Sequence, residues 1–481
     1  MPNRSSNSEA NSKEVSESGP TCGNIPRWIF RLLAPSPLLG LAWFRSVDWL
    51  YFSPTLNAYV QPDILVVAFA VFSAIVCMLS VVKPKTAFSI AVLLFAAVKQ
   101  AADGSISPPL LGMKPDGEPL NVLVTGANSG IGKAVSTELI RQGHRVILGC
   151  RSEVACNDVA AELMALLKAP FRILPVSGLE LKRLDLVEQF TASVAATLRS
   201  KVGESATLDL IIANAGFVPL ANSTVNVFPT IDVEEGLFAM YTGHHALLHF
   251  LGEASLLASN LSVVSVSSDA MRVGSFHDSL FIDSEEDITP PAAYGDLSGQ
   301  VTKGCSLPSF GLVESGFATP CCIPRMDSSM KPGVASHLLP EGLTFGSYPR
   351  AKLANVLFAR ELLRRRVAAR STAVMPGIVC TQIVDIPDWW KPYNRLICPL
   401  MLRDASTAAS VVLRAAVNPT KTHGPPAAGY HFFNGQGEAL GPESLSYRSM
   451  EWMDRAARRL WELAEQQRAL YSMSMALKES Q

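Results

Sequence analysis

From residue 119 onward the chain alternates short apolar runs with amphipathic stretches. "NVLVTG" (121–126) is apolar enough for a strand buried on both faces, while "GKAVSTELIRQG" (132–143) spaces its apolar positions as a helix does and stops at a glycine. "RVILGC" (145–150) is the next strand, and "LDLIIANAG" (208–216) and "LSVVSVSS" (261–268) are two more. Strands alternating with helices predict an α/β domain built on a parallel sheet, here over 119–481. Each strand ends in small or polar residues, and ligands of open parallel sheets bind outside the carboxyl ends of the strands. Further on, "SYPRAKLANVLFAREL" (347–362) runs at helical spacing and sets Tyr348 four positions before Lys352. Residues four apart share a helix face, so a phenol and an ammonium can enter one cleft; a solvated face is the ordinary alternative.

The segment before residue 119 has another texture. Residues 1–27, led by a Ser-, Asn- and Glu-rich tract, are too polar to offset their ordering entropy and are expected to be disordered. No secretory signal begins there, and Glu9, Glu14 and Glu17 argue against a transit peptide. Residues 28–118 read as a membrane-associated region and linker. Ile64 to Val82 is uncharged throughout, about the length that crosses a bilayer core, and Lys83 and Lys85 flank it. A transmembrane helix over 64–82 is expected; a buried core helix is the competing reading. The shorter run 86–98 reads as an interfacial segment or a return arm, and "WIFRLLAPSPLLGLAWF" (28–44), with Arg31 and terminal tryptophans, as one lying among headgroups. Basic residues on both sides leave the orientation open. A Pro/Gly-rich linker (107–120) leads into the α/β region.

Charge and cysteine content narrow the partners. With 41 Lys and Arg against 42 Asp and Glu and no basic stripe, nucleic acid is not an expected partner. Nine scattered cysteines fit a reducing compartment better than a disulfide framework. Cys321 and Cys322, with Cys305 and His337, are too widely spaced for a convincing metal site, so they are read as loop thiols and no metal is expected.

"VTGANSGIGKA" sets the turn Gly126-Ala127-Asn128-Ser129-Gly130-Ile131-Gly132 between a strand and a helix. Glycines there allow a tight turn and let a pyrophosphate approach N–H groups at a helix N-terminus. The second strand ends "LGCRS", where an NAD-preferring domain usually carries an acid for the ribose hydroxyl. Arg151 instead favours a 2′-phosphate through charge-assisted bonds, with Ser152 adding a hydroxyl. NADP(H) is therefore expected over NAD(H).

That glycine turn, Asp185-Leu186, Asn214-Ala215-Gly216, Ser267-Ser268, Tyr348-x-x-x-Lys352 and Pro376-Gly377 occur in this order. With them the chain resembles the short-chain dehydrogenase/reductase superfamily, most of all the retinol dehydrogenases and the oxidoreductase domain of the WW-domain oxidoreductase. The resemblance spans 119–275 and 346–468 and leaves out the N-terminal part and the stretch 276–345. It implies a Rossmann-type doubly wound parallel sheet. It also implies that the glycine turn holds the pyrophosphate, Asp185 and Leu186 bracket the adenine, and Asn214, Ala215 and Gly216 brace the sheet beside the coenzyme. Ser268 would then bond the substrate oxygen, and Thr381, beyond Pro376 and Gly377, would contact the nicotinamide carboxamide. Tyr348 would be the acid and base of hydride transfer, since a ketone gaining hydride needs a proton on oxygen. A free phenol titrates near 10, and the Lys352 ammonium would draw it toward working pH while also binding the nicotinamide ribose.

The same resemblance implies a lipophilic substrate such as a retinoid or sterol, and an endoplasmic-reticulum or other organelle membrane with the catalytic domain on the cytosolic side. "DIPDWWKPYNRLICPLML" (385–402), with Trp389 and Trp390, stands where relatives form the substrate loop. Three features depart from the family. Met240 stands where relatives carry the asparagine of a proton relay, and a thioether is a weak acceptor; nearby His244 and His245 read as packing residues. A long insert (276–345) separates Ser268 from Tyr348, either a cap on the site or a surface excursion. Pro349 biases Tyr348 away from helical dihedrals, toward the helix cap. Met240 and the insert also keep open a second reading, a membrane-bound NADP(H)-binding sensor or scaffold with little turnover.

Overall fold

The computed structural model describes residues 35–36, 38–39, 42, 62–103, 107–219, 224–228, 231–268, 270–271, 347–377, 379–381, 383, 398, 402–417, 430–433, 439–440 and 450–479. The polar tract 1–27, the insert 276–345 with Cys305, Cys321, Cys322 and His337, and Trp389 and Trp390 lie outside the described residues. The chain divides into two units, Met1–Phe44 with Ile64–Val98, and Arg45–Asp63 with Lys99–Gln481.

In the first unit α1 (Pro62–Val82) and α2 (Pro84–Asp103) are separated by Lys83 alone. Pro84 is acceptable at the start of α2, where its missing N–H has no helical partner to lose. Val76 of α1 and Ala87 and Ala91 of α2 bury one another together with Leu39. Among the described residues no helix is long and apolar enough to cross a membrane. The expected crossing over 64–82 is therefore not supported, and the side chains of 62–70 lie outside the described residues.

The second unit is an α/β sandwich. Its strands are β1 (Asn121–Thr125), β2 (Arg145–Gly149), β3 (Ile173–Val176), β4 (Leu208–Ala213), β7 (Leu257–Val266), β8 (Arg370–Val374), β9 (Tyr430–Phe433) and β10 (Ala439–Leu440), with β5 (Thr224–Phe228) and β6 (Ile231–Glu234) forming a separate hairpin. The order across the main sheet is β10-β9-β8-β7-β4-β1-β2-β3, parallel throughout except at the β10 edge. From β1 the chain winds one way to β3, then returns through β4 toward β9. The order thus reverses between β1 and β4, where a doubly wound sheet opens a crevice.

Alternation along each strand feeds two cores, which is why the strands read as continuous apolar runs. Val122 and Val124 pack under α3 (Gly130–Arg141), α4 (Glu153–Leu167) and α8 (Ala405–Ala416). Leu123, Ile147 and Ile211 pack under α5 (Leu184–Lys201), α6 (His244–Glu253), α7 (Ser347–Arg364) and α9 (Met450–Glu479). The closing helix α9 is pinned by the Arg360–Asp454 pair at 2.7 Å and by Thr242 donating to Gln467 at 2.6 Å.

Two expectations need correction. The cysteines do not all stay apart, because Cys150 pairs with Cys156 and Cys380 with Cys398. Tyr348 does not sit at a cap, because α7 already begins at Ser347 and the proline falls within the first turn, where its absent N–H is harmless.

Candidate active site

The crevice starts at the glycine turn. Gly126 adopts φ +67° and donates its N–H to Gly149 O at 2.8 Å, which folds the chain back over the end of β2. A Cβ on Gly132 would collide with Gly126 O and stand 2.7 Å from Asn214 Nδ2, so only glycine lets the helix come this close. Gly130 (φ +51°) lies against Thr381, whose Cγ2 would be 3.1 Å from an added Cβ. Ser129 caps α3 without a side-chain bond, and the N–H groups of Gly130, Ile131 and Gly132 have no partner within the helix. Half-buried Asn128 completes the turn. Donors at a helix start, glycine clearance and a strand end together fit a dinucleotide pyrophosphate.

The adenosine end is open. Arg151 is 74% exposed with Glu180 Oε2 4.0 Å away, and Ser152 caps α4 by accepting from Ala155 N at 3.4 Å. Asp185 and Leu186 do not sit beside the end of β2. After β3 the chain stays in register with that strand end, Gly178 N donating to Arg151 O at 3.3 Å and Leu179 N to Cys150 O at 2.9 Å. This sets Glu180 beside Arg151 at that strand end. Asp185 lies in the first turn of α5, its carboxylate engaged by Arg183 (2.9 and 2.6 Å) and by the Tyr471 hydroxyl of α9 (2.9 Å). The Arg183 bonds foremost hold the Asp185 pKa below its ordinary value, while burial and the Asp185 bond push Tyr471 up to about 12. A signal was present, since "LEL" at 179–181 precedes "LDL" at 184–186 and matches the motif almost as well.

At the reactive end Asn214 binds β1 to β4, donating Nδ2 to Thr125 O at 2.9 Å, while the N–H groups of Asn214 and Ala215 both donate to Thr125 Oγ1 at 2.9 Å. The Thr125 hydroxyl also meets His244 Nε2 at 3.0 Å, and His244 Nδ1 meets Met240 O at 2.9 Å. A carbonyl only accepts, so Nδ1 carries the proton and Thr125 donates to Nε2. Burial, with the Lys352 charge adding to it, lowers His244 to about 4 and keeps it neutral. His245 instead packs edge-on against Trp461, ring centroids 4.3 Å apart.

Lys352 is 2% exposed. Its ammonium donates to Val266 O at 3.0 Å and stands 5.5 Å from the Tyr348 ring centroid, and burial lowers its pKa to about 8. Gly216 makes room for it: an added Cβ would stand 3.2 Å from Lys352 Nζ and 2.9 Å from Met240 Sδ. Met240 belongs to a π-helical turn, Phe238–Gly243, of the kind often found at functional sites. The two serines divide their roles. Buried Ser267 donates to Lys352 O at 2.6 Å, whereas half-buried Ser268 accepts only a 3.3 Å bond from Ala270 N among the described residues, leaving its hydroxyl available. Pro376 and Gly377 are held by Arg403, a fully buried residue not anticipated from the sequence. It donates to Pro376 O at 2.9 Å, its carbonyl accepts from Cys380 N at 2.8 Å, and the Cys380–Cys398 disulfide ties the same two segments.

Residues 120–281 match the family model for short chain dehydrogenase. Over that stretch the chain resembles the short-chain dehydrogenase/reductase superfamily. It is similar to human retinol dehydrogenase 14, 27% identical over 396 residues that span 79% of this chain and 97% of that protein. It is also similar to mouse retinol dehydrogenase 12, 28% identical over 265 residues, 54% of this chain and 62% of that one. Salutaridine reductase from Papaver somniferum overlays with a TM-score of 0.42 at 18% identity, covering 66% of this chain and 99% of that one, a likeness too loose to argue from. These likenesses support an oxidoreductase of the alcohol/carbonyl class that uses a nicotinamide coenzyme.

Proposed function

We propose that this chain is an NADP(H)-dependent oxidoreductase that interconverts an alcohol and a carbonyl on a lipophilic, retinoid-like substrate at a membrane, with Tyr348 as acid and base. The observation that carries the reading is Lys352, an ammonium held dry at the end of β7 with the Tyr348 ring beside it. A bound nicotinamide supplies or accepts the hydride. Tyr348 donates a proton to the substrate oxygen in reduction and removes it in oxidation, Lys352 supplies the positive field that favours phenolate, and Ser268 donates to the same oxygen. The glycine turn and Thr381 hold the coenzyme, and Ser267 and Val266 hold Lys352.

Preference for NADP(H) is supported by Arg151, while Glu180 beside it weakens that preference by offering the guanidinium an internal anion. Membrane contact is supported by the apolar side chains that α1 and α2 leave exposed, among them Ile75, Met78, Val82, Phe88 and Leu93, since soluble surfaces rarely concentrate so many. The similar proteins named retinol dehydrogenase favour a lipophilic substrate.

The test is NADPH consumption over retinoid, steroid and fatty-aldehyde panels in the presence of lipid, run beside Tyr348→Phe. Turnover that disappears in the variant while NADPH still binds is the expected result, and turnover surviving it overturns the mechanism. Met240, a thioether facing the same glycine as Lys352, favours a second reading, a coenzyme-binding sensor, which requires NADPH binding with no turnover on any panel member.

A further inference from the structure

The last pair of the β1–β4 ladder is Val124–Ile212, and beyond it the two strands open into the crevice. There the Thr125 hydroxyl takes over from the backbone ladder, accepting the N–H groups of Asn214 and Ala215 at 2.9 Å each. Those two bonds use both lone pairs of the oxygen, so one proton remains to be placed. Among the described residues two acceptors are in reach, Ile212 O at 3.4 Å and His244 Nε2 at 3.0 Å. His244 is 2% exposed, and its other nitrogen faces Met240 O at 2.9 Å, which puts the ring proton on Nδ1 and leaves Nε2 as the nearer acceptor. Adjacent His245 is buried as deeply, yet neither of its ring nitrogens has a partner among the described residues. Next along the floor, Gly216 borders Met240 and the Lys352 ammonium, which shares Val266 O with Asn355 Nδ2 (3.0 and 3.1 Å).

We propose that His244 is a positioning residue for the coenzyme: by taking the Thr125 hydroxyl proton on Nε2, it aims that oxygen's lone pairs at Asn214 and Ala215 and so sets the floor of the crevice. A hydroxyl rotates until its proton is claimed. With Nε2 in place one torsion is selected, whereas without it the proton turns to the longer, weaker bond with Ile212 O and the two N–H groups lose their aligned acceptor. The ring works on both sides. Its Nδ1–H fixes the π turn at Met240 while its Nε2 fixes the end of β1, so the two walls that meet at Gly216 are held in one register. Burial keeps the imidazole neutral, and Nε2 therefore stays an acceptor. The effect on coenzyme affinity rests on the function proposed above; the tautomer of His244 does not.

The experiment uses the full chain and reads two quantities, NADPH affinity by fluorescence titration and the His244 tautomer by NMR of protein labelled at the imidazole nitrogens. His244→Leu is expected to weaken NADPH about five- to tenfold, Thr125→Val at least as much, and the double variant no further than Thr125→Val alone, because the histidine acts through the hydroxyl. His244→Gln, whose longer amide sets an oxygen where Nε2 stands, should keep affinity within about twofold, while His244→Asn, which reaches only the place of Nδ1, should lose as much as leucine. His245→Phe, a change in packing against Trp461, should leave affinity unchanged. In the wild type His244 should carry its proton on Nδ1, and the Nε2 signal should move when Thr125→Val removes its donor. Losses that add in the double variant, an asparagine variant equal to the glutamine one, or a wild-type proton on Nε2 each overturn the proposal. If His244→Leu does not fold, the two amide variants and the tautomer decide. A wild type that binds neither NADPH nor NADH overturns the proposed function, and the tautomer with its response to Thr125→Val then decides whether His244 sets the Thr125 hydroxyl.

Discussion

At one end of the crevice a lysine is 2% exposed, tied by its ammonium to Val266 and by its carbonyl to Ser267; at the other an arginine is 74% exposed and has its partner only at 4.0 Å. The proposed function sets both cations on one coenzyme, and they are built oppositely. The buried one gains direction and field strength from low dielectric, and folding bears the desolvation. The exposed one costs little to fold and is screened by salt, so in the proposed function it would select between coenzymes without fixing geometry. On that proposal chemistry sits where the fold is rigid, and selectivity where it is cheap to change.

The sharpest way to break that contrast is to remove the space at the rigid end. Gly132→Ala sets a Cβ against Gly126 O, a backbone atom that cannot swing aside. Strain of about 1–3 kcal/mol should weaken NADPH binding about 10–100-fold, as read by fluorescence titration. The second test removes the buried charge. Lys352→Met should lower turnover by about 10²–10⁴ yet stabilise the fold. The folded pKa of about 8 lies below the usual 10.5, so below pH 8 the native state carries a desolvated proton that the unfolded chain holds freely. Wild-type stability must then rise with pH from about 8 to 10.5, since the unfolded state binds more protons in that window. The variant's advantage should be about 3 kcal/mol at pH 7 and fade across the same window, a difference urea unfolding resolves.

A third test separates the serines. Ser267→Ala should cost about 1 kcal/mol of stability through the lost bond to Lys352 O, whereas Ser268→Ala should leave the melting temperature alone and lower turnover. The smallest effects belong to the open end. Arg151→Ala should weaken NADPH about tenfold with NADH little changed, and Glu180→Gln should tighten NADPH about two- to threefold, both differences shrinking at high salt.

The sheet was legible because doubly buried strands announce themselves as apolar runs, and the glycine turn because its clearance admits no other residue. Other parts were hidden for physical reasons. Two acid-bearing tripeptides five residues apart compete for one motif, and only the backbone register beside Cys150 chooses Glu180 over Asp185. Arg403 and Asn355 look like ordinary polar positions until burial shows what each holds. The pairing of Cys380 with Cys398 joins two segments whose nearness only folding creates.

His244 grips residue 240 by its peptide oxygen, not by its side chain. That main-chain bond is thus independent of which amino acid occupies the position. An asparagine or a methionine would hang from the same hook, so an exchange there alters the functional group and its packing while the main-chain tether stays.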